Sequence, residues 1–146
     1  MDERFQRPIH LRWADMDPNF HVRHSCYYDF GAQVRMQVLE GMGLTLEVMK
    51  EQGFGPILFR EECVFKREIR FGDTLTLSVR MRRLRQDLSR WSFQHEFVKS
   101  DGTLCAILTV DGAWMDTRQR KLTVPPAIAG DVMAQVPRTE DFEWMP

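Results

Sequence analysis

No run in this chain is apolar for long enough to span a membrane, and Met1-Asp2-Glu3-Arg4 opens nothing that reads as a signal peptide. Cysteine is sparse. Cys26, Cys63 and Cys105 are odd in number and far apart, so they make neither a disulfide framework nor a zinc knuckle. A reducing, cytoplasmic setting is expected. Neither sign of charge is in excess: 20 Lys and Arg meet 21 Asp and Glu, a net of −1. That balance removes any global electrostatic case for a nucleic-acid partner. Internal repeats, low-complexity tracts and ligand residues at metal spacing are also missing. Nucleic acid, membrane and metal are not expected among the partners.

What is present is the composition of a globular protein, 43% hydrophobic and 28% charged. At 146 residues the chain suits one domain, 1–146, with a core over about 8–116 and an extension over 117–146. Residues 9–13 read as a first strand. Residues 26–42 repeat apolar side chains at helical spacing: Tyr27, Phe30, Val34 and Val38, flanked by Tyr28, Met36 and Leu39. That wide apolar surface predicts a helix buried over much of its circumference, with Ser25 as its N-cap and Gly41 and Gly43 at its end. A short helix is expected over 44–52.

From Ile57 the period changes to two, with Ile57, Phe59, Cys63 and Phe65 alternating along one strand. Leu75, Leu77, Val79 and Met81 alternate along another, and Trp91, Phe93, His95 and Phe97 along a third. Residues 104–110 are apolar on both faces, as in a central strand. Asp101-Gly102 is a hairpin signal, and connections this short make the strands antiparallel. After Pro125-Pro126 a short helix is expected over 127–135. The compact solution for this order is an α+β fold, an antiparallel five-stranded curved sheet wrapped around one long central helix. Its edge strands need cover, and pairing with a second copy supplies it, so a homodimer or a dimer of dimers is expected.

The chemistry concentrates in Asp15-Met16-Asp17-Pro18-Asn19-Phe20-His21-Val22-Arg23-His24, between the first strand and the central helix. Loops on a rigid scaffold commonly carry function, and a helix start presents unpaired N–H groups to an anion or oxyanion. Asp17, Asn19, His21 and His24 are the candidate catalytic groups. Each also has a structural reading, since Asp and Asn are ordinary turn residues. Asp15 reads as a turn or capping residue. His95, on an apolar strand face, reads as a hydrogen-bonded core histidine, and Cys26 as a small buried residue.

These residues resemble the hotdog-fold thioesterases of the 4-hydroxybenzoyl-CoA thioesterase type. The loop of that family looks like D-x-D-x-x-G-H-V-N-N, followed by a helix bearing Y-x-x-F/Y-x-x-x-x-R. Asp15, Asp17, His21, Val22, Tyr27, Phe30 and Arg35 stand at matching offsets. Phe65-Lys66-Arg67-Glu68-Ile69-Arg70-Phe71-Gly72-Asp73 is similar to the family's turn into its third strand. The resemblance covers roughly residues 8–116.

It implies hydrolysis of an acyl-CoA thioester to free acid and CoA, with Asp17 as the catalytic carboxylate. The His24 backbone N–H would polarise the thioester carbonyl, and some bacterial members carry a histidine side chain at this offset. The plant acyl-carrier thioesterases give a second register that implicates Asp17, Asn19 and His21. No cofactor is implied, because coenzyme A is part of the substrate. Two departures stand out: Phe20 where the family has glycine or glutamine, and Arg23-His24 where it has Asn-Asn. Phe20 and Tyr27 are candidates for lining the substrate pocket and Arg23 for reaching a pantetheine or phosphate oxygen. Arg82 and Arg83, in a cluster with Arg80, Arg85 and Arg90, are candidates for the phosphates of CoA. Two rival functions remain at this point. One is a non-catalytic dimeric acyl-CoA or acyl-carrier binding module, and the other is acyl-thioester hydratase or dehydratase chemistry.

Overall fold

The computed structural model describes residues 2–146. Strand β1 (Gln6–Ile9) is followed by a turn and loop, then the central helix α1 (Cys26–Gly41) and the short α2 (Leu46–Gln52). Four long segments of sheet come next: β2 (Phe54–Phe65), the pair β3 (Leu75–Ser78) and β4 (Arg80–Arg85), β5 (Arg90–Lys99) and β6 (Leu104–Asp116). The chain ends with β7 (Lys121–Leu122), α3 (Ala127–Gln135) and β8 (Arg138–Met145).

Across the sheet, β1 lies beside β3, the β3–β4 segment beside β5, β5 beside β6 and β6 beside β2, all antiparallel. This is the curved five-stranded sheet expected from the order of elements. The helix α1 crosses its inner face and buries Tyr27, Val34, Val38 and Leu39 against Leu77, Phe97, Leu108 and Val110 of the common core. Gly31 is the point of closest approach, where a Cβ would run into the Leu108 side chain. The helix lies low on the sheet because that position lacks a side chain.

Three local expectations are corrected. The first strand is Gln6–Ile9, not 9–13, because the Asp15 carboxylate accepts from the Arg12 backbone N–H at 2.9 Å and turns the chain off the sheet. Residues Trp13–Asp15 form a 3₁₀ turn there. Ser25 occupies the N-cap position of α1, but its backbone is already helical (φ −71°, ψ −23°) and its hydroxyl makes no capping bond. It accepts instead from Arg23 Nε at 3.1 Å. The run 75–82 is broken at Val79, whose N–H donates to Phe5 O at 2.7 Å where the strand changes neighbours.

The last thirty residues do more than the sequence signals. The expected helix forms as α3, and Ala129, Val132 and Met133 enter the core. Strand β8, which no periodicity announced, pairs parallel with β4 and covers that edge. At the opposite edge β2 pairs with β6 alone among the described residues, so its outer N–H and C=O groups are open. Leu58, Phe59, Val64 and Phe65 are exposed along it.

Candidate active site

The loop between the first turn and α1 is closed on itself by backbone and side-chain bonds. Asp15 is buried, and its carboxylate accepts from Arg12 Nη2 at 2.7 Å as well as from the Arg12 N–H. The Arg12 guanidinium holds this carboxyl below the usual range against the opposing effect of burial. Asp15 is therefore a staple of the loop, in line with its reading as a turn residue. Asp17 N–H donates to His21 O at 2.8 Å, and Val22 N–H donates to Ile69 O at 2.8 Å. An isolated bridge between His21 and Arg70 completes the attachment, so residues 66–70 lie against the loop.

Asp17 sits half-buried inside this frame. Its Oδ1 accepts from the backbone N–H groups of Asn19 at 2.8 Å and His21 at 3.1 Å, which fixes the carboxylate, and among the described residues Oδ2 has no hydrogen bond. Phe20, in the place of the glycine, has φ +65°, the left-handed region that favours glycine. The departure in sequence is thus carried by the same backbone shape that glycine provides. The Phe20 ring is 68% exposed, so little packing offsets the strain. Phe20→Gly is expected to stabilise the protein by about 0.5–1 kcal/mol, the left-handed penalty less the entropic cost of glycine. Urea unfolding of wild type, Phe20→Gly and Phe20→Ala checks this, because the alanine retains the Cβ and should show no gain.

Asp17, His21, Val22, His24 and Tyr27 meet on one recess of about 340 Å³, whose far wall is Phe65, Lys66, Arg67 and Glu68. The His24 side chain is exposed at its mouth. No hydrogen bond is made by the His24 or Ser25 backbone N–H among the described residues. Both lie at the start of α1, where the aligned peptide dipoles favour negative charge. The ring of His21 is spoken for, with Nε2 2.9 Å from Glu68 Oε2. Glu68 in turn accepts from Arg70, the main cause of its lowered pKa. Tyr27 is buried, meets Phe65 edge-on at 4.9 Å and Phe97 at 5.0 Å, and burial pushes its hydroxyl pKa upward.

The remaining candidates stand outside this recess. Asn19 contributes its backbone N–H to Asp17, and its side chain is not among the lining groups. Arg23 is folded back on its own loop, donating to Ser25 Oγ, Ala14 O and Cys26 Sγ. Arg82 and Arg83 reach Asp141 and Glu143 of β8 and do not line the recess. Cys26 is buried, as expected of a small core residue. Burial pushes the Cys63 thiol up to about 11, which keeps it from acting as a thiolate. Lys66 and Arg67 went unrecognised as lining residues. They follow the last apolar residue of β2, and their N–H groups donate to the Cys105 carbonyl while residues 69–70 pair with the loop, which together set them beside Asp17.

The thioesterase-like superfamily's model matches residues 11–135. The chain belongs to that superfamily. No curated protein matches the sequence. Solved structures place the thioesterase-like chain among hotdog folds. SAV2348 from Staphylococcus aureus, solved in complex with CoA, superposes with a TM-score of 0.83 at 19% identity, over 92% of this chain and 86% of that one. Slr0204 from Synechocystis, a 1,4-dihydroxy-2-naphthoyl-CoA thioesterase, gives 0.80 at 16% identity, over 90% and 96%. BH1999, a gentisyl-coenzyme A thioesterase, gives 0.76 at 17%, over 88% and 98%. At these identities the likeness concerns the fold. The family describes a thioesterase.

Proposed function

We propose that this thioesterase hydrolyses an acyl-CoA thioester at the recess, with Asp17 as the reacting carboxylate and the His24 N–H as the oxyanion donor. The observation that carries the reading is the pairing of those two groups. A carboxylate held by two N–H groups lines the same recess as His24, whose backbone N–H, just before α1, makes no hydrogen bond among the described residues. Thioester hydrolysis needs both: a group that attacks or deprotonates water, and donors aimed at the oxygen that gains charge. Asp17 either attacks the carbonyl carbon to give a mixed anhydride and release CoA thiolate, or takes the proton of an attacking water.

Tyr27 and Phe65 supply an apolar wall, and Lys66 and Arg67 supply cations at the rim. Those cations are suited to pantetheine and phosphate oxygens, which makes them stronger candidates for CoA than Arg82 and Arg83. His21, tied to Glu68, positions the loop. CoA in the complex of the SAV2348 protein and the thioesterase names of other neighbours support the substrate class. The open β2 edge, with its exposed apolar residues, supports assembly of two copies through that strand. The expected setting is the cytoplasm.

The test is steady-state hydrolysis of an acyl-CoA panel, aliphatic and aromatic, followed by loss of thioester absorbance. Turnover of at least one member at 1 s⁻¹ or more, an ordinary enzymatic rate of about that order, is the expected result. CoA binding without turnover of any member favours the binding-module reading. Sedimentation equilibrium on the same sample should return two or four times the chain mass, and a monomer removes the assembly.

A further inference from the structure

Three aromatic side chains stand in solvent beside the recess. Trp13 is 68% exposed in its 3₁₀ turn, and Phe71 is 53% exposed in the turn that Arg70 and Asp73 close. Their rings meet edge to face at 5.9 Å, yet both stay open to water. Phe20 joins them through the pairing that ties the loop down. Val22 N–H donates to Ile69 O and His21 bridges Arg70, so the next position outward sets Phe20 across from Phe71. Gly72, beside Phe71, has open space where a Cβ would stand, as at a projecting tip.

Neighbouring apolar rings left in water mark a surface that meets something else. Phe20 is the clearest case, because it holds the left-handed backbone that favours glycine and its ring gains little packing in return. The charge around the rings has one sign to spare. Asp15 is matched by Arg12, Glu68 by Arg70 and Asp73 by Lys99. Asp17 is set into the recess and takes backbone N–H groups. Arg23, Lys66 and Arg67 lie on the same two segments and make no ion pair among the described residues.

We propose that this end of the molecule docks on an anionic phospholipid surface. Trp13, Phe20 and Phe71 enter the interface, and Arg23, Lys66 and Arg67 face the headgroups. Aromatic rings favour the boundary between headgroups and chains, and each Lys or Arg close to an anionic leaflet adds attraction. Rings that project from three separate turns suit a fluid surface, whereas a protein partner is met by a continuous, closely packed face. No helix among the described residues is long and apolar enough to cross a membrane, and docking of this kind needs none. The mouth of the recess then opens at the lipid surface, where an acyl-CoA with a long chain collects. That consequence for turnover rests on the thioesterase reading above, whereas lipid binding does not.

The test is sedimentation with vesicles of phosphatidylcholine, pure or with about one third phosphatidylglycerol, and with no substrate present. Wild type should bind the anionic vesicles at least tenfold more tightly than the neutral ones. Phe20→Gly and the double variant Trp13→Ser/Phe71→Ser should each weaken that binding threefold or more. Lys66→Gln/Arg67→Gln should remove the preference for the anionic vesicles. Leu46→Ser, at an exposed apolar position on α2, should change nothing. Phe20→Gly is expected to be more stable than wild type, so its loss of binding cannot come from unfolding. In Trp144→Phe protein, Trp13 is the exposed indole that remains, since Trp91 and Trp114 are buried. Lipids brominated along their chains should then quench its emission.

No binding to the anionic vesicles, or binding that the ring substitutions leave intact, overturns the proposal. A fall in oligomer mass on Trp13→Ser/Phe71→Ser would then give the rings to a second copy, and an unchanged mass to another protein. Turnover of acyl-CoA without any lipid binding leaves the thioesterase reading standing.

Discussion

Asp17→Asn is expected to lower kcat for acyl-CoA hydrolysis at least a hundredfold, about 2.7 kcal/mol of transition-state stabilisation, with KM little changed. The substitution is chosen for what it preserves. Asparagine has the shape of aspartate and keeps an Oδ1 that can still accept from the Asn19 and His21 N–H groups. The loop, whose other ties run through Asp15, Val22 and the His21 bridge, should therefore hold its form. What the amide cannot do is attack a thioester or take a proton from water. His24→Ala is the companion control. Its backbone N–H survives, so if that donor is the one in use the variant keeps kcat within about tenfold, whereas loss of a true oxyanion donor costs a hundredfold or more. An Asp17→Asn protein that unfolds at the wild-type temperature and still turns over within tenfold of wild type removes Asp17 from the mechanism.

Much of this site could be read in advance because its determinants are local. Asp17, His21 and His24 lie within eight residues of one another, and the helical spacing from Tyr27 to Val38 marks the element that follows them. The strand alternation through Trp91, Phe93, His95 and Phe97 likewise gives β5 its inward face, and Asp101-Gly102 its hairpin, closed with Gly102 at φ +89°. What escaped notice depends on contacts distant in sequence. Strand β8 has no clean alternation, and it exists because Arg83 and Leu84 of β4 offer it a partner some sixty residues earlier. The first strand ends at Ile9, before the apolar residues that suggest it, because the Arg12 N–H and the Asp15 carboxylate close a local turn there. Lys66 and Arg67 carry no signal of their own, since they reach the recess through backbone bonds to Cys105 and the pairing of residues 69–70 with the loop, contacts distant in sequence. Arg35 was legible as a helix residue of the family pattern, but its burial against His95 joins positions sixty apart.

That Arg35–His95 contact makes stability depend on pH in a definite direction. His95 has no exposed surface, and burial first, then the adjacent guanidinium, lower its pKa to about 3 from an ordinary 6.5. In the folded protein the ring stays neutral well below the pH at which an unfolded chain binds a proton there. Between pH 6.5 and about 3 the unfolded state therefore holds more protons at this position, and stability falls as pH falls. The slope approaches about 1.4 kcal/mol per pH unit for one proton. From pH 6.5 to 4.5 wild type should thus lose about 2 kcal/mol through this group, since the slope is only half its full value at pH 6.5, largely before the carboxylates held low by partners, such as Asp15, begin to protonate. His95→Gln isolates the effect, because an amide can accept from Arg35 and donate to the Ser78 carbonyl without titrating. Urea unfolding at half-unit intervals over that range should show the wild-type curve dropping away from the variant, which starts lower at pH 7 and stays flatter. Parallel curves would mean that the ring gains its proton in the folded state as readily as in the unfolded one, and that the guanidinium beside it is not held against a neutral imidazole.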